Sequence, residues 1–504
     1  MKVFLLHPDR DFDFEAELPP NEEDLTTDLE LSTLFAAMGG GDKFLQQVAR
    51  LVVLSSLRDA ETIRYRQQIL TDCLARPDVV RDIYWTAVDA LEGERQRYWG
   101  FYRGASPSSI LHSAIRILEV FVDLLMHLRI VADQHAHEFS SDGFARLFSV
   151  LQEELGDEYF RTVKDHLKEL KFGDGVLLSA ALGPGSKGKD YVLRLPNRKQ
   201  RRWTLRRGRT GFSFRIPDRD ESGARALGEL EAQGINLVAN ALAQSTDHIR
   251  SFFRVLRSEL GYYVGCLNLH ALLTEKGEPV CFPDPLGPGT AGFECQDLYD
   301  ACLSLHVPTR VVGNSVDAGG RQLVVVTGAN RGGKSTFLRS VGLAQLMMQS
   351  GMFVPARRFS AEICEGLFTH YKREEDASME HGKLDEELAR MSRIVDDISP
   401  GCLLLCNESF ASTNEREGSE IGRQVIGALL HAGVKVFLVT HLFDLADEFH
   451  RARGSSSLFL RAERERDGGR TFRLVEAPPL ATSFGMDLFR RIFLDARDSV
   501  GTEA

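Results

Sequence analysis

The chain has 504 residues, of which 43% are hydrophobic and 26% charged. That is an ordinary soluble balance, long enough for two to four domains. No uninterrupted apolar run approaches a membrane span, and the opening stretch is too short for a signal peptide, so a cytoplasmic protein without a membrane partner is expected. The eight cysteines are scattered without a CxxC pair, which points to a reduced protein without structural zinc. Net charge is −11, so a nucleic-acid partner would have to meet a local basic surface.

In chain order, residues 1–27 read as an acidic N-terminal arm: positions 9 to 30 hold ten Asp or Glu and one Arg. Residues 28–275 read as a helical domain. Leu45, Val48, Leu51 and Val52 are helically spaced, as are Ile110, Ile115, Leu118, Phe121 and Leu125. A β-rich insertion is expected at about 172–216, where glycines punctuate short runs such as Val176-Leu-Leu-Ser-Ala and Tyr191-Val-Leu-Arg-Leu. Helical pattern returns from about Ser222 to Leu260, as one long element or two. Pro and Gly mark a linker at 276–296. From 297 to 490, apolar runs alternate with helices, as in an α/β domain with a largely parallel sheet, and 491–504 form a tail.

Three stretches of the α/β part carry chemistry. Leu323-Val-Val-Val-Thr327 reads as a buried strand, followed by Gly328-Ala-Asn-Arg-Gly-Gly333-Lys334-Ser335 and a helical run. This is the strand, GxxxxGKS loop and helix of a phosphate-binding loop. Its glycines let backbone N–H groups close on phosphate oxygens at a helix N-terminus. Lys334 can reach the β- and γ-phosphates, and the Ser335 hydroxyl can complete a Mg²⁺ shell. The second stretch, Cys402-Leu-Leu-Leu-Cys-Asn407-Glu408, is an apolar strand ending in two polar residues, like a Walker B element. Glu408 stands where such a site polarises the attacking water, while Asn407 replaces the acid that holds the metal shell and brings no charge. The third, Val434-Lys-Val-Phe-Leu-Val-Thr440, ends at His441, placed to sense the γ-phosphate or position water.

Together these motifs resemble the MutS family of DNA-repair ATPases. Thr327-Gly-Ala-Asn-Arg-Gly-Gly-Lys-Ser-Thr336 is similar to that family's TGPNxGGKST, including Asn330. Gly351-Met-Phe-Val-Pro-Ala356 resembles its G-x-x-V-P-A turn. Asn407-Glu-Ser-Phe-Ala-Ser-Thr-Asn-Glu-Arg-Glu-Gly418 resembles its D-E-x-x-x-G-T-x-x-x-x-G run, with Ser412 in place of the first glycine and Asn407 in place of the Asp. Thr440-His441 matches its switch histidine, Thr482-Ser-Phe-Gly485 its closing S-Y-G element, and Val311-Val-Gly-Asn314 its strand beside the adenine. The resemblance implies a multidomain α and α/β protein: a helical lever domain with a β-rich, clamp-like insertion, then an ABC-class P-loop ATPase domain. Residue 1 lies close to where the lever helices begin, so a MutS-like protein lacking the N-terminal mismatch-binding domain and its Phe-x-Glu wedge is expected.

The implied cofactors are ATP and Mg²⁺. Gly328, Asn330, Gly332, Gly333, Lys334, Ser335, Thr336 and Asn314 are expected to bind nucleotide, Ser335 and Asn407 the metal, and Glu408 and His441 to act in hydrolysis. ABC-class sites are completed by a second subunit, which implies a homodimer, with Ser378 as a candidate reaching the partner's γ-phosphate. For DNA, duplex or branched, the candidate surface is the acid-free stripe from Arg194 to Arg215, with Arg198, Lys199, Arg201, Arg202, Arg206, Arg207 and Arg209 interleaved with aromatic residues. Repair proteins are expected as further partners. The alternative is a nucleotide-gated interaction protein in which Asn407 has reduced hydrolysis and ATP mainly controls association.

Overall fold

The computed structural model describes residues 1–97, 106–173, 175–195, 214–290, 292–373, 382–453, 456–465 and 469–480. The candidate DNA-contact residues Arg198, Lys199, Arg201, Arg202, Arg206, Arg207 and Arg209 lie outside the described residues, as do Ser378, the 482–485 element and the 491–504 tail. Two compact units divide the chain: residues 1–3, 78–140 and 144–258 form one, and 4–77, 141–143 and 259–504 the other. The described residues are thus mixed helical and α/β, with three sheets among them.

The chain opens with four helices, α1 (Glu22–Asp28), α2 (Leu31–Gly39), α3 (Lys43–Leu54) and α4 (Ala60–Ala75). Asp42 and Asp59 cap α3 and α4, their carboxylates accepting from the N–H groups of Phe44 and Thr62. Then come α5 (Pro77–Arg97), α6 (Pro107–His135), α7 (Asp142–Glu154) and α8 (Asp157–Leu170). Ser106 caps α6 and Pro107 starts it; Leu111, Ile115, Leu118, Val122 and Leu125 form its buried stripe. Strands β1 (Leu178–Leu182) and β2 (Gly188–Leu193) pair as an antiparallel hairpin where the glycine-punctuated runs predict strands. The returning helical pattern is a single helix, α9 (Glu221–Glu275), of 55 residues, roughly 80 Å at 1.5 Å per residue.

The first dozen residues, expected to belong to an acidic N-terminal arm, are partly buried. Val3, Leu5 and Leu6 are buried. This extended segment belongs to no sheet, so side chains satisfy its backbone. Glu259 on α9 accepts from the N–H groups of Leu5 (2.6 Å), Leu6 (3.3 Å) and Phe12 (2.8 Å). Arg66 Nε donates to the Leu6 carbonyl at 2.7 Å, and the Tyr65 hydroxyl to that of Phe4 at 2.6 Å. The acids of α1 also find partners: Asp24 and Asp28 pair with Arg373 and Arg390.

The stretch expected as a linker contributes strands. β3 (Asp284–Leu286) and β4 (Phe293–Leu298) join β5 (Asn314–Asp317) and β7 (Arg358–Glu362) in a four-stranded sheet of order β3-β7-β4-β5. Pro285 is tolerated because β3 lies at the sheet edge. Between β4 and β5 stands the short α10 (Ala301–His306).

The six-stranded sheet positions the candidate site. It contains β6 (Leu323–Gly328), β8 (Leu367–Tyr371), β9 (Leu403–Asn407), β10 (Lys435–Val439), β11 (Ser457–Arg464) and β12 (Arg470–Glu476) in the order β12-β11-β6-β10-β9-β8. All neighbours are parallel except β11 and β12. Strands β6, β9 and β10 are buried along nearly their whole length, which explains their continuous apolar runs. The intervening helices are α11 (Lys334–Gln349), α12 (Lys383–Asp397), α13 (Glu415–His431) and α14 (Phe443–Arg453). Cys402 and Cys406 sit in the core with Leu404, Val436 and Ile426. No described helix is long and apolar enough to cross a membrane.

Candidate nucleotide site

The carboxyl ends of β6, β9 and β10 lie side by side, the usual place for a ligand on a parallel α/β sheet. From β6 the chain turns through Gly328 (φ 110°), Arg331 (φ 60°) and Gly333 (φ 87°) into α11. Gly333 is the residue preceding the helix, and its left-handed conformation is one that a side chain would strain. The loop thus leads directly to the N-terminus of a 16-residue helix, whose free N–H groups and dipole favour an anion.

Lys334 lies buried within the loop, its Nζ donating to the carbonyls of Gly328 and Ala329, both at 3.1 Å. Burial pushes its amine down to about 8, partly opposed by the nearby Glu408 carboxylate. Ser335, exposed at the start of α11, donates its hydroxyl to Asn407 Oδ1 at 2.9 Å, so the loop and the end of β9 meet. Just beyond β9, Glu408 Oε1 lies 2.8 Å from His441 Nε2. That hydrogen bond chiefly holds the Glu408 carboxyl below its ordinary range, with the charge of Lys334 adding to it.

A cavity of about 400 Å³ adjoins the loop. Val311, Val312, Asn314, Phe337 and Phe472 line it, together with Gly333 and Thr336. Buried Asn314 is fixed through its side chain, which donates to the Phe472 carbonyl (3.2 Å) and accepts from the Leu474 N–H (2.7 Å). Phe472 has φ 60° and a half-exposed ring, an apolar plate suited to a nucleobase. Asn330 lies at the exposed loop tip, where its carbonyl accepts from Arg470 Nε at 3.3 Å.

The structure therefore gathers Gly328, Gly332, Gly333, Lys334, Ser335, Thr336, Asn314, Asn407, Glu408 and His441 around one loop and cavity. Sequence reasoning missed Phe472, Arg470 and Tyr299. The first two sit on an antiparallel strand whose alternation resembles that of any half-buried strand. Tyr299, buried at the cavity wall, follows a stretch expected as a linker.

A family model described as MutS domain V matches residues 324–497, a range that takes in the phosphate loop, Glu408 and His441. A second, described as the MutS2 N-terminal domain, matches residues 58–276. The chain belongs to the MutS family. Among curated MutS-family relatives, the DNA mismatch repair protein MutS of Desulfosudis oleivorans is 34% identical over 145 residues, 28% of this chain and 16% of that protein. The endonuclease MutS2 of Lacticaseibacillus casei is 33% identical over 150 residues, 29% of this chain and 19% of that one. The endonuclease MutS2 of Gemmatimonas aurantiaca is 24% identical over 268 residues, 53% of this chain and 32% of that protein. The chain thus spans no more than about a third of the length of these MutS-family relatives.

Proposed function

We propose that the chain is an ATP-dependent DNA-binding protein of the MutS type, an ATPase clamp acting on DNA structures in repair or recombination. The observation that carries this reading is the pairing of Glu408 with His441, 2.8 Å apart, beside a phosphate loop already joined to β9 through Ser335 and Asn407. Glu408, kept ionised by that hydrogen bond, would accept a proton from the water attacking the γ-phosphate, with ADP as leaving group. Lys334 would exchange its two loop carbonyls for phosphate oxygens. The nucleobase would enter the cavity between Phe472 and the Val311–Val312 edge.

The donors at Ser335 and Asn407 suit Mg²⁺, a hard cation that takes oxygen ligands and keeps several waters. When bound it would neutralise charge on the β- and γ-phosphates. The helices and the β1–β2 hairpin would serve as lever and clamp, and the basic stripe with Arg198, Lys199, Arg201, Arg202, Arg206, Arg207 and Arg209 as the DNA contact. A homodimer would complete two composite sites, ATP favouring the closed form to the extent that it binds that form more tightly.

Asn407 favours a second reading, a nucleotide-gated interaction protein with weak hydrolysis, because a carboxamide brings no negative charge to the metal. One experiment separates the two: ATP turnover together with binding to perfect duplex, mismatch, fork and four-way junction, with and without ATP. Turnover with a preference for branched DNA supports the clamp. ATP-dependent dimerisation without turnover or DNA binding supports the interaction protein.

A further inference from the structure

Residues 408 to 410 leave β9 along an unusual path. Glu408 (φ 56°) and Phe410 (φ 64°) both occupy the left-handed region, although neither is glycine. Such conformations persist where the surroundings impose them, and they cluster at functional sites. Here the turn is gripped at each residue. The Glu408 N–H donates to the Val439 carbonyl at 2.8 Å. The Phe410 N–H donates to Glu387 Oε1, a buried carboxylate on α12. Ser409, with no exposed surface, sets its hydroxyl 2.7 Å from His370 Nδ1 and 2.9 Å from the His370 carbonyl.

The protonation pattern follows from the partners. His370 Nε2 lies 3.1 Å from the Glu387 carbonyl, which can only accept, so Nε2 carries a proton. Burial disfavours the charged form of the ring, and the Ser409 hydroxyl, with its single proton, bridges the His370 carbonyl and Nδ1. His370 also stacks on Phe410, with ring centroids 5.7 Å apart. Glu387 therefore holds the turn twice: directly through its carboxylate, and through its carbonyl by way of His370 and Ser409. Neither Glu387 nor His370 lines the nucleotide cavity.

We propose that Glu387, acting with His370 and Ser409, is a positioning residue for hydrolysis: it locks the 408–410 turn and so aims the Glu408 carboxylate at His441 and the reacting water. The inference rests on the ATPase reading above. It makes α12 an element whose displacement would alter the rate of hydrolysis without touching the nucleotide.

The test compares steady-state ATP turnover, ATP affinity and melting temperature for wild type, Glu387→Ala, Glu387→Gln and Ser409→Ala. Misaiming a reacting group by about 1 Å can cost on the order of a hundredfold. Glu387→Ala should therefore lower kcat roughly ten- to a hundredfold, with KM and nucleotide affinity essentially unchanged. Glu387→Gln retains an oxygen that accepts from the Phe410 N–H and should restore most of kcat, while Ser409→Ala should give a smaller loss. Unchanged kcat in Glu387→Ala, or a loss matched by equal losses in affinity and in Glu387→Gln, would overturn the proposal. Should Glu387→Ala not fold, Ser409→Ala decides, and wild-type kcat there overturns it. A wild type that binds ATP without turning it over sinks the ATPase reading instead, so the two failures are distinguishable.

Discussion

His441 Nε2 and Glu408 Oε1 share a 2.8 Å hydrogen bond between the turns that follow two adjacent parallel strands, β10 and β9. The contact joins a general-base candidate to the group that keeps it ionised. Glu408→Gln is expected to lower kcat by roughly a hundredfold or more, the usual worth of a positioned base, while leaving ATP affinity nearly intact. His441→Ala should cost less and should move the acidic limb of the kcat profile upward, because the main influence depressing the Glu408 carboxyl is gone. Equal turnover for wild type and Glu408→Gln would remove Glu408 from the mechanism.

Asn407→Asp restores a charge beside Ser335, whose hydroxyl already reaches this side chain at 2.9 Å. A full charge near a divalent cation is worth several kcal/mol at an effective dielectric of about 20, before desolvation is subtracted. The apparent affinity for Mg²⁺ in ATP turnover should therefore rise about tenfold, read from the metal dependence of the rate. No change would place the metal away from residue 407.

Lys334 gives a pH dependence for nucleotide binding. In the free protein its amine titrates near about 8, because burial disfavours the charge. A bound triphosphate favours the protonated form, so binding takes up a proton once the free amine has lost its own. ATP affinity should be level below about pH 8 and fall as pH rises beyond it, by up to tenfold per unit. Titration of a fluorescent ATP analogue between pH 6.5 and 10 checks this, and a flat profile would contradict it.

Glu259 is the anchor of the N-terminal segment. Glu259→Ala leaves three backbone donors, at Leu5, Leu6 and Phe12, without their acceptor. At about 1 kcal/mol or more for each buried donor left unmade, the loss is about 3 kcal/mol, visible as a lower melting temperature. Burial raises this carboxyl to about 7 against the three N–H donors that oppose it, from 4.5 in the absence of structure. A folded state that holds the proton more tightly loses this contribution as pH rises from 4.5 to 7. Glu259→Gln, which keeps an acceptor and cannot titrate, should flatten stability over that window.

Much of the candidate nucleotide site is legible because its parts are local. The glycines at 328, 332 and 333, with Lys334 and Ser335, form one turn between a strand and a helix, and neighbouring residues fix their conformations. The β9 and β10 strands declare themselves by continuous apolar runs, since both faces are covered. Phe472 and Tyr299 are not legible in this way. They reach the cavity from strands and loops far apart in sequence, and their residue types are ordinary for a core or a strand face. The N-terminal segment misleads for a related reason: its acids suggest a solvated arm, while Glu259, some 250 residues later, takes up its backbone N–H groups.

The sequence by itself determined the phosphate loop, the strands that flank it and the replacement of an acid by Asn407, because short-range backbone geometry and apolar periodicity are written residue by residue. Only the tertiary structure decided that Ser335 meets Asn407, that His441 meets Glu408, and that Glu387 and His370 grip the turn between β9 and α13. Those contacts depend on the order in which parallel strands lie side by side. Strand order is set by packing across the whole sheet, which no local stretch of sequence encodes.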